Sequence, residues 1–408
     1  MTTSIDSAMM RRFNKTAVFR TIYQNAPISR VDIANLLEMN KATISSIVDE
    51  LIAEEFVIEI GYGESRGGRK PMLLSLNENA GYCIGIDVQI THVTVALCNL
   101  SGKIIEQHHE PIYLSDGMSV QEALLQSLIA ASKKVISKAP TSKYGVIGAG
   151  VAIPGMVNSQ TGYLHYLPNL EIHEWNFLES LRANLKIPIF IDNDANCGAL
   201  AVQQTCHLNH LVFVNVGMGT GVGIITNGNL IHGYDGIAGE FGHTTIAAMG
   251  LKCSCGSYGC WEQYASERAL LRYLQEVGAY NLPSFPSAHF IEECVLRADT
   301  GDALYIRAFQ TLGQHIGIGL ANVLNGLNPQ IAMIGGPIVL AGNYILPDIE
   351  RTVANRAVSL NRRVKVHIAS PETVVHGAAQ LVLRSLLLVD IESLKESGEF
   401  PTPLTLPH

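Results

Sequence analysis

Excess positive charge is missing from this chain. Its 28 Lys and Arg stand against 36 Asp and Glu among 408 residues, giving a net charge of −8 and a pI near 6.0. No field spanning the whole molecule draws it to nucleic acid, so any such contact must come from a local cluster of cations. Long unbroken hydrophobic runs are missing too. The longest late stretch, VVHGAAQLVLRSLLLV, is interrupted by His376, Gln380 and Arg384 and reads as a buried helix rather than a membrane span. No signal peptide is legible, because the first apolar run is short and follows polar and acidic residues. Cys83, Cys98, Cys197, Cys206 and Cys294 stand singly in apolar surroundings and read as inert buried thiols, the usage of a reducing, cytoplasmic compartment. What is abundant is core-forming material. The chain is 47% hydrophobic with mean hydropathy +0.20 and 37 glycines, enough for two or three α/β domains.

Residues 10–76 have their own texture. NKTAVFRTIYQN (14–25) has helical spacing, with Val18 and Ile22 on one face. Ser29 is a plausible N-cap with Asp32 three positions on, and Ile33, Leu36 and Leu37 are expected on the buried side of that helix. After a short break, Ile44, Ile47, Val48, Leu51 and Ile52 recur at helical intervals. The opposite face of this helix presents Lys41, Thr43, Ser45 and Ser46 near its N-terminus, where the helix dipole favours phosphate. Strand-like residues over 56–76 then flank a glycine-rich turn bearing Arg66, Arg69 and Lys70. Two packed helices alone would give the first pattern. A basic hairpin directly behind them makes it a winged helix-turn-helix whose wing tip lies along DNA.

From Ala80 onward strands alternate with longer helical segments, an α/β signature. Two units echo each other, CIGIDVQITHVTVALCNLSGKI (83–104) and LVFVNVGMGTGVGIITNGNLI (211–231). Each pairs two apolar strands across a turn, which points to two lobes of related topology facing a cleft. The motifs GVAIPGMV, PNL, IDNDANCGAL, VGMGTGVGIIT, GIAGEFGH, CSCGSYGCWE and LNPQIAMIGG then follow in order. From about residue 10 to about 385 the chain resembles the ROK family of repressors, open reading frames and sugar kinases. Within it, NKATISSIVDELI, EIGYGESRGGRKP, AGYCIGIDV and KCSCGSYGCWEQYASERALL are most similar to xylose repressors of Gram-positive bacteria. The resemblance implies a two-lobed, actin-like ATPase body behind the winged head. The head and its linker fall at 1–80, lobe 1 at 81–195, lobe 2 at 196–371, a helix returning to lobe 1 at 372–390, and a tail at 391–408.

CSCGSYGC sets Cys253, Cys255 and Cys260 within eight residues, with Gly256 and Gly259 letting the chain fold around a centre. Thiolates so close in a reducing setting suit a structural zinc ion better than a disulfide. The resemblance implies His243 as fourth ligand, which leaves no open position for catalysis.

A free sugar needs several carboxylate or amide partners, since each ring hydroxyl both donates and accepts. The resemblance places Asn193, Asp194, Glu240, His243 and Glu262 around such a ring, with Asn169 and the Gly155 backbone on the other wall. Asp194 matches the base that deprotonates the sugar in the family's kinases. Those kinases open their first hairpin with Asp-x-Gly-Gly-Thr-Lys, whereas here Asp87-Val88 is followed by Gln89-Ile90-Thr91-His92. The phosphate-seating glycines and the cation are gone, while GMGTGVG (217–223) and Gly335-Gly336 remain. Half a nucleotide site implies poor ATP binding and leaves Asp194 a vestigial base rather than a catalytic residue. The implied function is a sugar-responsive repressor of a carbohydrate operon, with xylose or a related aldose as inducer. A homodimer or tetramer would sit on palindromic operator DNA, with no membrane involved. A ROK sugar kinase with a fused DNA-binding head is the alternative, and an activator differs only in sign.

Overall fold

The computed structural model describes residues 7–64 and 70–386. The head contains helices α1 (Ser7–Asn25), α2 (Arg30–Leu36) and α3 (Lys41–Ala53), with strands β1 (Ile28–Ser29), β2 (Val57–Tyr62) and β3 (Met72–Leu76). Capping residues begin the helices: Ser29 Oγ accepts the Asp32 N–H at 3.2 Å, and Asn40 Oδ1 accepts the Ala42 N–H at 2.8 Å. The stripe of α3 is buried at Ile44, Ile47, Val48 and Leu51, while Ile52 at its edge is half-buried. Leu36 departs from expectation: it is 60% exposed, because α2 is only seven residues long and turns Ile33 and Ala34, not its last residue, toward the core. The strands pair antiparallel in the order β1-β3-β2, so β2 and β3 form the wing hairpin behind a helix-turn-helix. The expected wing cations Arg66 and Arg69 lie outside the described residues.

Two five-stranded sheets follow. The first contains β4 (Tyr82–Val88), β5 (His92–Asn99), β6 (Ile104–Pro111), β7 (Val146–Ile153) and β11 (Ile189–Asn193). Helix α4 (Val120–Ile136) covers one face, and a small antiparallel sheet, β8 (Met156–Asn158), β9 (Tyr163–Leu167) and β10 (Ile172–Trp175), leads through α5 (Phe177–Arg182) into β11. The second sheet, reached through α6 (Asp194–Cys206), contains β12 (Leu211–Val216), β13 (Thr220–Thr226), β14 (Asn229–Leu230), β15 (Ile331–Gly335) and β16 (Lys365–Ile368). Helices α7 (Glu267–Glu276), α8 (Phe290–Asp299), α9 (Ala303–Leu327) and α10 (Gly342–Arg356) pack with it, and α11 (Thr373–Leu386) ends the described chain.

The two sheets run β11-β7-β4-β5-β6 and β16-β15-β12-β13-β14. In each, the first three strands pair antiparallel and the last two add in parallel, so the sequence echo is a duplicated, actin-like topology. Helices α6 and α11 lie back to back between the lobes, close enough to demand glycine. A Cβ on Gly377 of α11 would sit 1.8 Å from Cys197 O of α6, and one on Gly150 of β7 would sit 1.8 Å from Ala378 O. Cys83, Cys98, Cys197 and Cys294 are buried as expected, but Cys206, the last residue of α6, is exposed.

No free tether separates head from body among the described residues. Phe56 stacks on Tyr144 at 4.4 Å, Tyr144 Oη donates to Glu54 O at 2.7 Å, and Asn77 N–H donates to Phe56 O at 2.8 Å. One apolar cluster runs from Val18, Phe19 and Ile22 through Leu76 and Ala80 to Cys83, Cys98 and Ala379. Among the described residues, no helix is long and apolar enough to cross a membrane.

Candidate functional site

Strand β11 ends in Asp192-Asn193-Asp194, and Asn193 is the cap that converts strand to helix. Its Oδ1 accepts the Ala195 N–H at 2.9 Å, while its Nδ2 donates to Gly155 O at 3.0 Å, tying α6 to the turn after β7. Asp194 opens α6 but is only 8% exposed. Its carboxylate accepts the Ala195 N–H at 2.7 Å and Asn215 Nδ2 at 2.8 Å. Burial, then the repulsion of Asp87, outweigh those donors and push Asp194 up to about 7. Burial likewise raises Asp87 to about 6, against the Gln89 amide, which donates to both Asp87 oxygens at 3.0 and 2.9 Å.

From lobe 2 come Glu240, raised mainly by burial, and His243, whose Nε2 lies 3.7 Å from Glu240 Oε2. Glu262 Oε2 accepts the Thr220 N–H at 3.2 Å. The glycine loop 217–223 fits around this carboxylate, since a Cβ on Gly219 would lie 2.6 Å from Glu262 Oε2. Asn169, Gly155, Asn193, Asp194, Glu240, His243 and Glu262, separated by up to 107 positions in the chain, line one cavity of about 70 Å³ between the lobes. Gln89 and Ile90 line it too.

Two contributors escaped the sequence reading. Asn215 holds Asp194, and its Oδ1 is buried without a partner. Its signal was a lone amide inside the otherwise apolar LVFVNV strand. Arg268 donates to Asn169 Oδ1, a contact across 99 positions that no local pattern announces.

Below this cavity, His243 Nδ1 lies 3.6 Å from Cys253 Sγ, and Cys255 Sγ lies 3.6 Å from Cys260 Sγ. The four ligand atoms all fall within 4.8 Å of one another. Metal–sulfur bonds of about 2.3 Å at tetrahedral angles put sulfurs about 3.8 Å apart, so the cluster fits a metal ion. Gly259 permits the knuckle, because a Cβ there would meet Ala247 O at 1.7 Å. Next to Cys260, the fully buried Trp261 donates its indole N–H to His315 O of α9 at 2.9 Å, fixing the knuckle to the lobe 2 core.

On the head, Lys41, Thr43 and Ser46 are exposed at the start of α3, and Lys70 is exposed beyond the wing tip; Ser45 is half-buried. Four of the acids between them are ion-paired. Arg30 binds Asp49 and Glu59 at 2.9 and 2.8 Å, and Lys15 binds Glu50 and Glu54 at 2.8 and 2.7 Å. These pairs take up cations as well as acids, so the head, with 9 Lys and Arg against 10 Asp and Glu over residues 1–80, offers phosphate the exposed Lys41 and Lys70 as local contacts rather than a positive field.

The ROK family pattern matches residues 83–385. The xylose repressor of Caldicellulosiruptor bescii is 33% identical over 93% of this chain and 97% of its own length. The N-acetylglucosamine repressor of Escherichia coli O6:H1 is 29% identical over 93% of this chain and 94% of its own. Among solved structures, a ROK family transcriptional regulator described as a homolog of the E. coli MLC protein superposes with a TM-score of 0.74 at 26% identity, covering 93% of this chain and 98% of that one. Head, doubled body and ordered motifs together make this chain a member of the ROK family.

Proposed function

We propose that this chain is a transcriptional repressor that lets go of its operator when a small sugar enters the cavity between the lobes. The observation that carries this reading is α6. Its first turn, with Asn193 and Asp194, lines the cavity. Its last turn brings Gln204 Nε2 to 3.4 Å from Tyr23 Oη of α1, and Gln203 Oε1 accepts from Arg384 of α11 at 2.8 Å. One 13-residue helix therefore joins the sugar contacts to the DNA-reading head, and a lobe movement that shifts α6 also shifts the head. Sugar drives that movement only by binding the two lobe arrangements unequally, and a tenfold loss of operator affinity asks for about 1.4 kcal/mol of such coupling.

In this reading Asn193, Asp194, Glu240, His243 and Glu262 hold the ring, with Asn169 and Gly155 on the opposite wall. Lys41, Thr43, Ser45, Ser46 and Lys70, with Arg66 and Arg69, meet a palindromic duplex as a homodimer or tetramer. Zinc on His243, Cys253, Cys255 and Cys260 is structural, tying the Glu240 loop to Glu262, and thiolate ligation suits a cytoplasmic setting. Xylose is the proposed inducer, after the C. bescii relative. Gln89 bonded across Asp87, together with the glycine loop folded against Glu262, supports a site without phosphoryl transfer.

The test is fluorescence anisotropy on a duplex selected by the chain from random sequence, titrated with pentoses and hexoses, beside an ATP-coupled kinase assay. Specific binding released by one aldose, with no turnover, is expected. Turnover on the order of 1–10³ per second would make it the kinase, and a complex that ignores every sugar would end the repressor reading.

A further inference from the structure

A second and far larger cavity, about 630 Å³, opens between the lobes beside the first. It falls in the range of about 300–1,000 Å³ usual for small-molecule pockets. Gln89, Ile90 and Met218 line both cavities and form the partition between them. Gly336, read from the sequence as a remnant of nucleotide binding, borders the larger one.

Its charge has the wrong sign for a nucleotide. Asp87, Glu267, Glu292 and Glu372 line it, and no lysine or arginine does among the described residues. His92 adds no cation at neutral pH, because burial first, then His109 and His289, hold it below the ordinary histidine range. A polyphosphate entering here would meet like charge in a partly desolvated space.

Three of the four carboxylates have donors of their own. Gln89 serves Asp87, His289 lies 2.7 Å from Glu292, and Ser370 donates to Glu372 at 2.9 Å. Glu267 has none among the described residues. It is 6% exposed, and its Oε1 lies toward Gly217, 3.7 Å from where a Cβ on that glycine would stand. It opens α7, a position that favours an acid, but the Ala269 N–H of that turn already goes to Ser266 Oγ at 3.3 Å. Burial alone pushes the Glu267 carboxyl up to about 7. Its oxygens are not sealed off but open onto the cavity, so a carboxyl this deeply buried takes its donor from whatever fills that space. The lining of the same cavity is otherwise partly apolar, with Met218, Phe285, Ile291, Pro337 and Val339.

We infer that this cavity binds a small organic cation, an ammonium or guanidinium group on an apolar body, with Glu267 as its counter-ion. The head group brings the donor Glu267 lacks, and the body covers the apolar wall. The inference concerns binding alone and stands whether or not the neighbouring cavity takes sugar.

The test uses the full chain, with thermal shift and saturation-transfer NMR against phenethylamine and agmatine. Controls are 2-phenylethanol (neutral), 3-phenylpropanoate (anionic) and the nucleotide analogue AMP-PNP. Saturable binding of at least one amine is expected, with the alcohol at least about tenfold weaker and the two anions silent. Glu267→Gln, nearly isosteric and uncharged, is expected to melt no lower than the parent and to weaken the amine about tenfold or more. The comparison of cation with alcohol needs no variant, so a misfolded Glu267→Gln would leave the test intact. The inference fails if neither amine binds, if the alcohol binds as well as the amines, if AMP-PNP binds, or if folded Glu267→Gln keeps the parent's amine affinity.

Discussion

Replacing Asp194 by Asn is expected to make the protein more stable and less responsive to sugar at once. The ordinary aspartate value is 3.8, and burial beside Asp87 raises Asp194 to about 7. Between those values the folded chain keeps a proton that the unfolded chain has released. The stability this group contributes is therefore full below 3.8 and is lost as pH rises through 7. At about 1.4 kcal/mol per pH unit the whole span amounts to roughly 4 kcal/mol. Sharing the repulsion with Asp87, and relaxation around the charge, reduce this to roughly 2 kcal/mol recoverable by neutralising Asp194 alone. The asparagine also has a partner waiting. Asn215 Oδ1 is buried and unpartnered, so a flip of the Asn215 amide turns it from donor to acceptor for the new side chain. Urea denaturation without sugar is expected to show the variant about 2 kcal/mol more stable than the parent at pH 8, with the advantage falling to less than half of that at pH 5. The same change removes a charged acceptor for a sugar hydroxyl, worth about 1.5–3 kcal/mol, so operator release should need roughly ten times more sugar or beyond. A variant less stable than the parent by the same amount at both pH values would refute the reasoning, since Asp194 would then act through packing and not through charge.

The remaining predictions concern the knuckle, the hinge and the head. Cys255→Ser is expected to lower bound zinc from one ion per chain to a small fraction by elemental analysis, with loss of the sugar response; a full response without metal would remove the structural role. Gly377→Ala drives a methyl into Cys197 O, a backbone atom with nowhere to go, and should cost roughly 3 kcal/mol in chemical denaturation. A neutral outcome there would mean that α6 and α11 slide freely past each other. Lys41→Ala with Lys70→Ala should weaken binding to every duplex alike and reduce the slope of log affinity against log salt by about 2, whereas an unchanged slope would take both lysines off the phosphates.

Much of this was legible because it is local. The α3 stripe from Ile44 to Leu51, the cap at Ser29, the wing hairpin and the cysteine spacing are local features, where periodicity and turn chemistry act directly. Leu36 and Cys206 went the other way because a residue at the end of a helix has no following turn to hold it against the core. The charge pairing within the head was likewise not legible. Which acids remain free depends on Arg30 reaching Asp49 and Glu59, pairings that composition does not contain.

By itself the sequence determined the elements, their duplication, and the residue types that gather in the small cavity, the cysteine knuckle and the start of α3. Tertiary structure alone decided that Asp87 lies near enough to Asp194 to raise it, that Asn215 and Arg268 reach residues lining the small cavity, that Glu267 has no donor among the described residues, and that the head shares a core with lobe 1. The reason is distance along the chain. Those properties arise where two sheets and two crossing helices close on each other, and the burial that shifts a carboxyl or strands an amide exists only after that closure.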